Sequence, residues 1–152
     1  MPSSSSLVTI TRPADTTAYT ANDVVGGAVS FPAIAWQGAD FIITSASLAI
    51  NIAAVPTGLS GFRAHLYNIT PPSALADNAA WDLSAGDRAS YIGYVDLGTP
   101  LDVGSTLYVQ STGVNVQLKA ASNTVFAYLV TLGAFTPAAS TEFTVTLHSL
   151  RG

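Results

Sequence analysis

The side chains in this sequence that could transfer protons are few and widely separated. The two histidines, His65 and His148, both lie in stretches where polar and apolar residues alternate. His65 could be combined with Ser47 and Asp96 into a serine–histidine–aspartate arrangement, but no G-x-S-x-G elbow presents such a serine. Glu142, the only glutamate, stands alone without the paired carboxylate that acid–base hydrolysis uses. We therefore predict no catalytic residues and a protein that is not an enzyme.

Three aspartates, Asp77, Asp82 and Asp87, are spaced five residues apart and lie close to Asn78, a pattern that could bind calcium. The spacing lacks the D-x-[DN]-x-[DN]-G order and the closing glutamate of an EF-hand loop. Aspartates in loops rich in proline, glycine and serine more often cap turns. The chain has no cysteine, which removes thiolate ligands for zinc. We predict no metal and no cofactor.

Three aromatic residues lie near predicted turns, and two interpretations of them remain open. Trp36 precedes Gln37-Gly38, Trp81 follows Asn78-Ala-Ala, and Tyr19 lies in another loop. Such rings could form a platform on which sugars stack. Aromatic residues in these places more often plug the end of a sandwich or anchor an interface, which is the interpretation we favour.

An alternation of period two runs through the whole chain and predicts β-strands. Turn signals rich in glycine, proline, asparagine and aspartate separate the alternating stretches. The candidate strands are residues 6–12, 24–31, 41–53, 62–69, 90–97, 106–111, 114–120, 124–132 and 142–150. Eight or nine short antiparallel strands predict an all-β fold, a jelly-roll-like β-sandwich. An immunoglobulin-like sandwich is the alternative, but the Cys-Trp-Cys signature of that fold is missing.

The chain divides into a short tail and one domain. Residues 1–6, Met-Pro followed by four serines, predict a flexible N-terminal arm without the apolar run of a secretory signal. Residues 7–152 predict a single β-sandwich domain, with at most one helical turn near residues 82–88, where Asp82 could cap it. The uncharged residues 41–55 are too few and too polar to span a bilayer.

The low charge content narrows the classes of partner. Charged residues make up 9% of the chain, against about 25% in an average soluble domain. Five scattered basic residues and a net charge of −4 exclude a surface that neutralises a run of phosphates. We therefore expect no direct nucleic-acid partner and no membrane partner. Uncharged Ser, Thr and Ala faces lose little hydration energy when another protein covers them, so assembly with protein is favoured.

Several segments resemble a family of small virion proteins of tailed bacteriophages, the head decoration or cement proteins. The similar segments are residues 11–26, 62–68, 72–73, 77–84, 91–95, 125–137 and the closing strand. Glycine is expected in many relatives at the position of Asn22, which can adopt the same left-handed backbone. The resemblance implies a jelly-roll-like sandwich that lies on the outer surface of an icosahedral head, assembled in the host cytoplasm, where it bridges major capsid protein subunits.

The resemblance also implies a homo-oligomer, a dimer or a trimer, and brings no catalytic residues. As a hypothesis, an arm that includes Ser3, Leu7 and Val8 adds a strand to a neighbour's sheet edge. The expected interface also includes Arg12 and Asp15, which hold the turn after the arm, Tyr19 and Trp36, which cover one end of the domain, and Trp81, which anchors the loop nearest a partner. The alternative function is that of a carbohydrate-binding jelly-roll module of a phage tail or baseplate.

Overall fold

The chain forms two antiparallel β-sheets in a computed structural model that describes residues 2–152. The strands are β1 (Ser3–Thr11), β2 (Val24–Phe31), β3 (Asp40–Ile50), β4 (Phe62–Tyr67), β5 (Tyr91–Gly98), β6 (Leu101–Asp102), β7 (Leu107–Lys119), β8 (Val125–Thr131) and β9 (Glu142–Arg151). The described residues contain no helix. The predicted all-β sandwich is therefore confirmed.

The order of the strands is that of a jelly roll. One sheet has the order β1-β9-β3-β7-β6 and the other the order β2-β8-β4-β5. Apart from the two-residue β6, successive strands mostly alternate between the two sheets, so each sheet interleaves strands from both ends of the chain. β1 and β9 bring the two ends of the chain together, since Ser3 pairs with Leu150 and Thr11 with Glu142.

The core between the sheets follows from the alternation in the sequence. In β9, Phe143, Val145 and Leu147 point inward and are buried, while the residues between them are at least partly exposed. Phe62 lies at the centre of an aromatic group, with its ring centroid 6.1 Å from that of Phe135 and 5.9 Å from that of Phe143. Burial of these large rings provides much of the driving force for folding.

The N-terminal strand is longer than the sequence predicts. Ser3 to Ser6 belong to β1 and pair with Leu150 to Leu147 of β9, whereas residues 1–6 were predicted as a flexible arm. Serine has little intrinsic preference for strands, but here it pairs with a strand from the other end of the chain, and this tertiary contact outweighs the local preference. Met1 lies outside the described residues.

One further prediction about local structure was wrong. Residues 106–111 and 114–120 were expected to be two strands, but they form the single strand β7. Gly113 and Asn115, both with positive φ, lie in a bulge of β7 where its pairing with β3 shifts register, so the glycine makes a bulge rather than a turn. Near Asp82, where the sequence predicts at most one helical turn, residues 85–90 form a run of turns.

Candidate interaction surface

The two outer faces of the sandwich differ in how they are covered. The connection between β4 and β5 crosses the outside of the four-stranded sheet, where Trp81 and Leu83 pack over Tyr67, Tyr128 and Val130 in a second apolar cluster. Nothing in the described part of the chain crosses the outside of the five-stranded sheet in this way. That outer face is therefore the extended sheet surface available to a partner.

We call this surface the open face and define it by the outward-pointing residues of four strands. These are Ser3, Ser5, Leu7 and Thr9 of β1, Thr144, Thr146, His148 and Leu150 of β9, Ile42, Ser45, Ser47 and Ala49 of β3, and Tyr108, Gln110, Thr112 and Gln117 of β7. None of them is Asp, Glu, Lys or Arg.

The open face is regular, and its residues form rows across the strands. One row runs Leu7, Thr146, Ser47, Gln110, and the next begins Thr9, Thr144, Ala49. With strands about 4.8 Å apart and a rise of about 3.3 Å per residue, four strands and seven residues of length give an area of about 450 Å². The face is thus a regular array of mainly hydroxyl, amide and aliphatic groups.

The charged residues of this sheet lie around the open face and not within it, and one of them, Asp102 of β6, lies at its side. Glu142 pairs with Thr11 beyond one end, and Asp40 lies opposite Lys119 beyond the other. Exposed apolar side chains lie at its two sides, with Leu7 60% exposed on β1 and Leu101 67% exposed on β6. A partner that covers this face would remove apolar and uncharged polar groups from water without removing a charge.

The predicted turn after the first strand is held by a buried guanidinium. The Arg12 side chain is fully buried, and its Nε donates to the Tyr19 hydroxyl at 3.1 Å while Nη2 donates to the Asp15 carboxylate at 3.1 Å. The guanidinium also donates to the backbone oxygens of Pro13, Asp15 and Ala138. Arg12 therefore ties the end of β1 to two other segments of the chain.

Asp77 completes this group, although nothing in the sequence indicated that Asp77 lies close to Arg12. Its carboxylate accepts hydrogen bonds from the Tyr19 hydroxyl at 2.5 Å and from the Gly26 backbone N–H at 2.8 Å, and it lies 3.8 Å from Arg12. Burial and the bond to Asp77 raise the pKa of Tyr19 well above its usual value. The cluster therefore links the loop that contains Tyr19 to the loop that contains Asp77.

Arg12 and Tyr19 consequently do not have the interface role that we expected. Tyr19 is 1% exposed and Arg12 is likewise buried, so neither side chain reaches a partner. Asp15 is exposed, and the backbone N–H of Thr17 together with Arg12 lowers the pKa of its carboxyl group. Val8 is half-buried beside an open groove of about 370 Å³ that also includes Val29 of β2.

The two tryptophans lie apart, and each has a ring face covered by another side chain. Trp81 stacks on His65 with 3.6 Å between ring centroids and an interplanar angle of 8°, and its Nε1 donates to the Tyr67 hydroxyl at 3.0 Å. Trp36 is 44% exposed and has the Arg151 guanidinium 5.0 Å above its ring. The pair does not form the sugar platform considered above.

The candidate catalytic residues lie on different sides of the molecule. Ser47 belongs to the open face, whereas His65 lies on the outside of the opposite sheet, packed against Trp81. Asp96 is held by Arg63, whose Nε donates to its carboxylate at 2.6 Å. Because stacked sheets are about 10 Å apart, no serine–histidine–aspartate arrangement forms from these residues.

The three aspartates considered for calcium do not converge either. Asp77 binds Tyr19 and Gly26, and Asp87 is buried and accepts a hydrogen bond from the backbone N–H of Ser73. No group of three potential ligands from His, Cys, Asp and Glu is found within residues 2–152. The same residues contain no helix long and apolar enough to cross a membrane.

Comparison with known proteins finds similarity in structure alone. No protein-family profile and no curated protein sequence matches the chain. A chain of the capsid of Ralstonia phage GP4 is similar at 14% identity and a TM-score of 0.44, covering 99% of this chain and 83% of that one.

Two further solved structures give weaker similarity. A chain of the cyanophage Pam1 capsid aligns at 14% identity and a TM-score of 0.33, over 96% of this chain and 84% of that one. The CBM22-1–GH10 modules of Clostridium thermocellum xylanase 10B align at 7% identity and a TM-score of 0.35, over 97% of this chain and 26% of theirs.

Only two residues of the open face, Ser3 and Leu7, were among the expected interface residues. The central residues of the face, such as Ser47 and Thr146, are separated by about a hundred positions in the sequence, and only the pairing of β3 with β9 brings them together. The available signal was the parity of each strand, because the outward positions between the strand ends carry no Asp, Glu, Lys or Arg.

Proposed function

We propose that this protein is a structural component of a bacteriophage virion that binds the outer surface of the head as a decoration or cement protein. The open face carries this proposal. It is an uncharged surface of about 450 Å², in a chain whose sequence resembles phage decoration proteins. Its partner would be the major capsid protein, and binding across a subunit junction would stabilise the head.

The stabilising mechanism is burial of surface across the junction. A stable interface buries about 800 Å² on each partner, so the open face supplies roughly half of this area. The face includes the exposed side chains of Leu7 and Tyr108, at 60% and 37% exposure, and Leu101, 67% exposed on the neighbouring β6, extends it. Serine and threonine hydroxyls can exchange water for hydrogen bonds with the partner, whereas a charged group would lose far more hydration energy.

The test is binding of the purified protein to heads from the phage that encodes it, after deletion of this gene. Two variants, Ser47→Lys and Thr146→Lys, place a charge in the middle of the open face. Thr57→Lys and Thr136→Lys are matched controls because both threonines are exposed in loops away from that face. Binding is measured by co-sedimentation, and stabilisation by the temperature at which the heads release DNA.

We expect the wild-type protein and both loop variants to sediment with the heads and to raise the release temperature. The two face variants should bind ten- to a hundred-fold more weakly, because each buries an ammonium group. Failure of the wild-type protein to bind would refute the decoration function. Equal binding by face and loop variants would refute the open face as the docking surface while leaving the function intact.

A further inference from the structure

We infer that β1 is a pairing edge for a second copy of this chain, so that two molecules join their five-stranded sheets into one continuous sheet. The inference starts from the edges of the two sheets. β1 is the terminal strand of the five-stranded sheet, and its nine residues pair only with β9 among the described residues. Unpaired strand edges attract other strands, and natural proteins usually protect them.

The other edges of the sandwich are protected in the usual ways. β2 has a bulge between Val25 and Ala28, and the backbone of residues 78–79 is hydrogen-bonded to Val24 at its start. β5 has register shifts near both ends and carries Asp96 paired with Arg63.

On the far side of the five-stranded sheet, β6 is only two residues long. The rest of the β7 edge is broken by the bulge that contains Gly113 and Asn115. Each of these edges therefore has a device that opposes strand pairing.

β1 has none of these devices. Its sequence, SSSSLVTIT, contains no charge, no proline and no glycine, and its pairing with β9 is continuous without a register shift. Pro2 and Pro13 lie on either side of it, and proline interrupts strand pairing because it has no N–H to donate. The pairing edge is thus confined to Ser3–Thr11.

The symmetry of this segment favours a second copy as the occupant. If two β1 strands pair in antiparallel fashion over their full length, Leu7 lies opposite Leu7 of the other copy at the two-fold axis. Ser5 then lies opposite Thr9, and Ser3 opposite Thr11. No like charges meet, and the Leu7 side chain, 60% exposed in one molecule, is covered by its counterpart.

The register is restricted by the two faces of the strand. A shift by one residue would place the open face of one molecule beside the inner face of the other, so that the two open faces would lie on opposite sides of the joined sheet. A shift by two residues keeps the faces aligned but shortens the pairing and removes Leu7 from the axis. The full-length register is therefore the best one.

Dimerisation in this register would enlarge the open face. A two-fold axis perpendicular to the sheet keeps both open faces on the same side, giving about 900 Å² of uncharged surface. The edge itself is about 30 Å long, and its affinity comes mainly from backbone hydrogen bonds rather than from area. We expect a dimer that dissociates on dilution.

The experiment uses purified protein without heads, so its outcome is independent of the proposed function. Sedimentation velocity from micromolar to millimolar concentration is compared for the wild type, Leu7→Lys and Leu101→Lys. Leu101 is the matched control because it is equally exposed, at 67%, on the opposite side of the sheet. Circular dichroism verifies that each variant is folded.

A second measurement tests the register directly. The chain has no cysteine, so Leu7→Cys and Leu101→Cys each contain a single thiol. Directly opposed residues of antiparallel strands have Cα atoms about 4.5–5.5 Å apart, which suits a disulfide. Oxidation should convert Leu7→Cys to a covalent dimer and leave Leu101→Cys largely monomeric in dilute solution.

We expect the wild type and Leu101→Lys to dimerise and Leu7→Lys to dissociate at least ten-fold more readily. A wild type that stays monomeric, or a Leu7→Lys variant that dimerises equally well, would overturn the proposal. So would a dimer in which Leu7→Cys fails to cross-link. A monomeric wild type whose binding to heads is abolished by Leu7→Lys would assign the edge to a capsid strand and would equally overturn it.

Discussion

His65 should make the stability of this protein depend on pH. It is only 5% exposed, its ring stacks on Trp81, and its Nδ1 lies 2.9 Å from the hydroxyl oxygen of Tyr91. Burial lowers the pKa of His65 to about 4, the positive charge of Arg63 acts in the same direction, and Asp96 opposes both. A neutral imidazole is therefore built into the outer cluster of the four-stranded sheet.

The sign and size of the effect follow from proton binding in the two states. In the unfolded chain His65 binds a proton below its ordinary pKa of about 6.5, whereas the folded chain binds it only below about 4. Between these values the unfolded state holds more protons, so the free energy of unfolding falls as pH decreases through this window and then levels off. A difference of about 2.5 pKa units corresponds to about 3 kcal/mol.

The assay is urea denaturation at several pH values between 7 and 4, followed by circular dichroism. His65→Gln removes the titrating group but retains an amide that can bond to Tyr91. The free energy of unfolding of the wild type, minus that of His65→Gln, should drop by about 3 kcal/mol across the window. The contributions of the titrating carboxyl groups are common to both proteins and cancel in this difference. His148→Gln, which removes an exposed histidine, should show the same drop when it takes the place of the wild type in this comparison.

A wild-type curve that runs parallel to that of His65→Gln would refute this reasoning, since burial would then not be holding the imidazole neutral. The size of the constant offset between two such parallel curves would report only the lost contact with Trp81.

Two further predictions concern positions where the backbone is held tightly. Arg12→Met should lower the free energy of unfolding by about 3–5 kcal/mol, because Tyr19, Asp15 and several backbone oxygens lose a buried donor and Asp77 loses its nearby positive charge; urea denaturation measures this, and a loss below about 1 kcal/mol would contradict it. Gly58→Ala should cost about 1–3 kcal/mol, since Gly58 has a φ of +89° and a new Cβ would meet the Ala134 carbonyl oxygen. Gly86→Ala, with open space and no positive φ, is the control, and equal melting temperatures for the two alanine variants would argue against this account.

The sequence predicts those features that depend on neighbouring residues. Alternation identifies the inward residues of β9 and the other long strands, because a strand with one buried face must alternate. Asn22 adopts the expected left-handed conformation with a φ of 69°. The jelly-roll order itself was predicted from the number and spacing of strands rather than from any pairing.

Features that depend on contacts between residues far apart in the chain could not be predicted from the local sequence pattern. Ser3 to Ser6 form a strand only because β9, at the other end of the chain, pairs with them. Arg12 looks like an exposed partner of Asp15 in the sequence, but Tyr19 and Asp77 enclose it. The open face depends on four strands whose order the local pattern does not specify.

The placement of the few charges connects the fold with the proposed assembly. Arg12 is buried in a loop tie, Arg63 pairs with Asp96 on the opposite sheet, and Arg151 covers Trp36. These charges therefore lie inside the fold or on other surfaces, and those of the five-stranded sheet lie around the open face and not within it.

The two surfaces without such protection are the open face and the β1 edge, and they meet at Leu7. A free monomer would gain solubility from a lysine at either place, and an isolated edge strand would be safer with one. The absence of lysine from both surfaces is therefore better explained if a partner covers them than by the low charge content of the chain alone. If coverage is the reason, adding lysine at Thr146 or at Leu7 should leave the isolated protein folded while weakening head binding in the first case and self-association in the second.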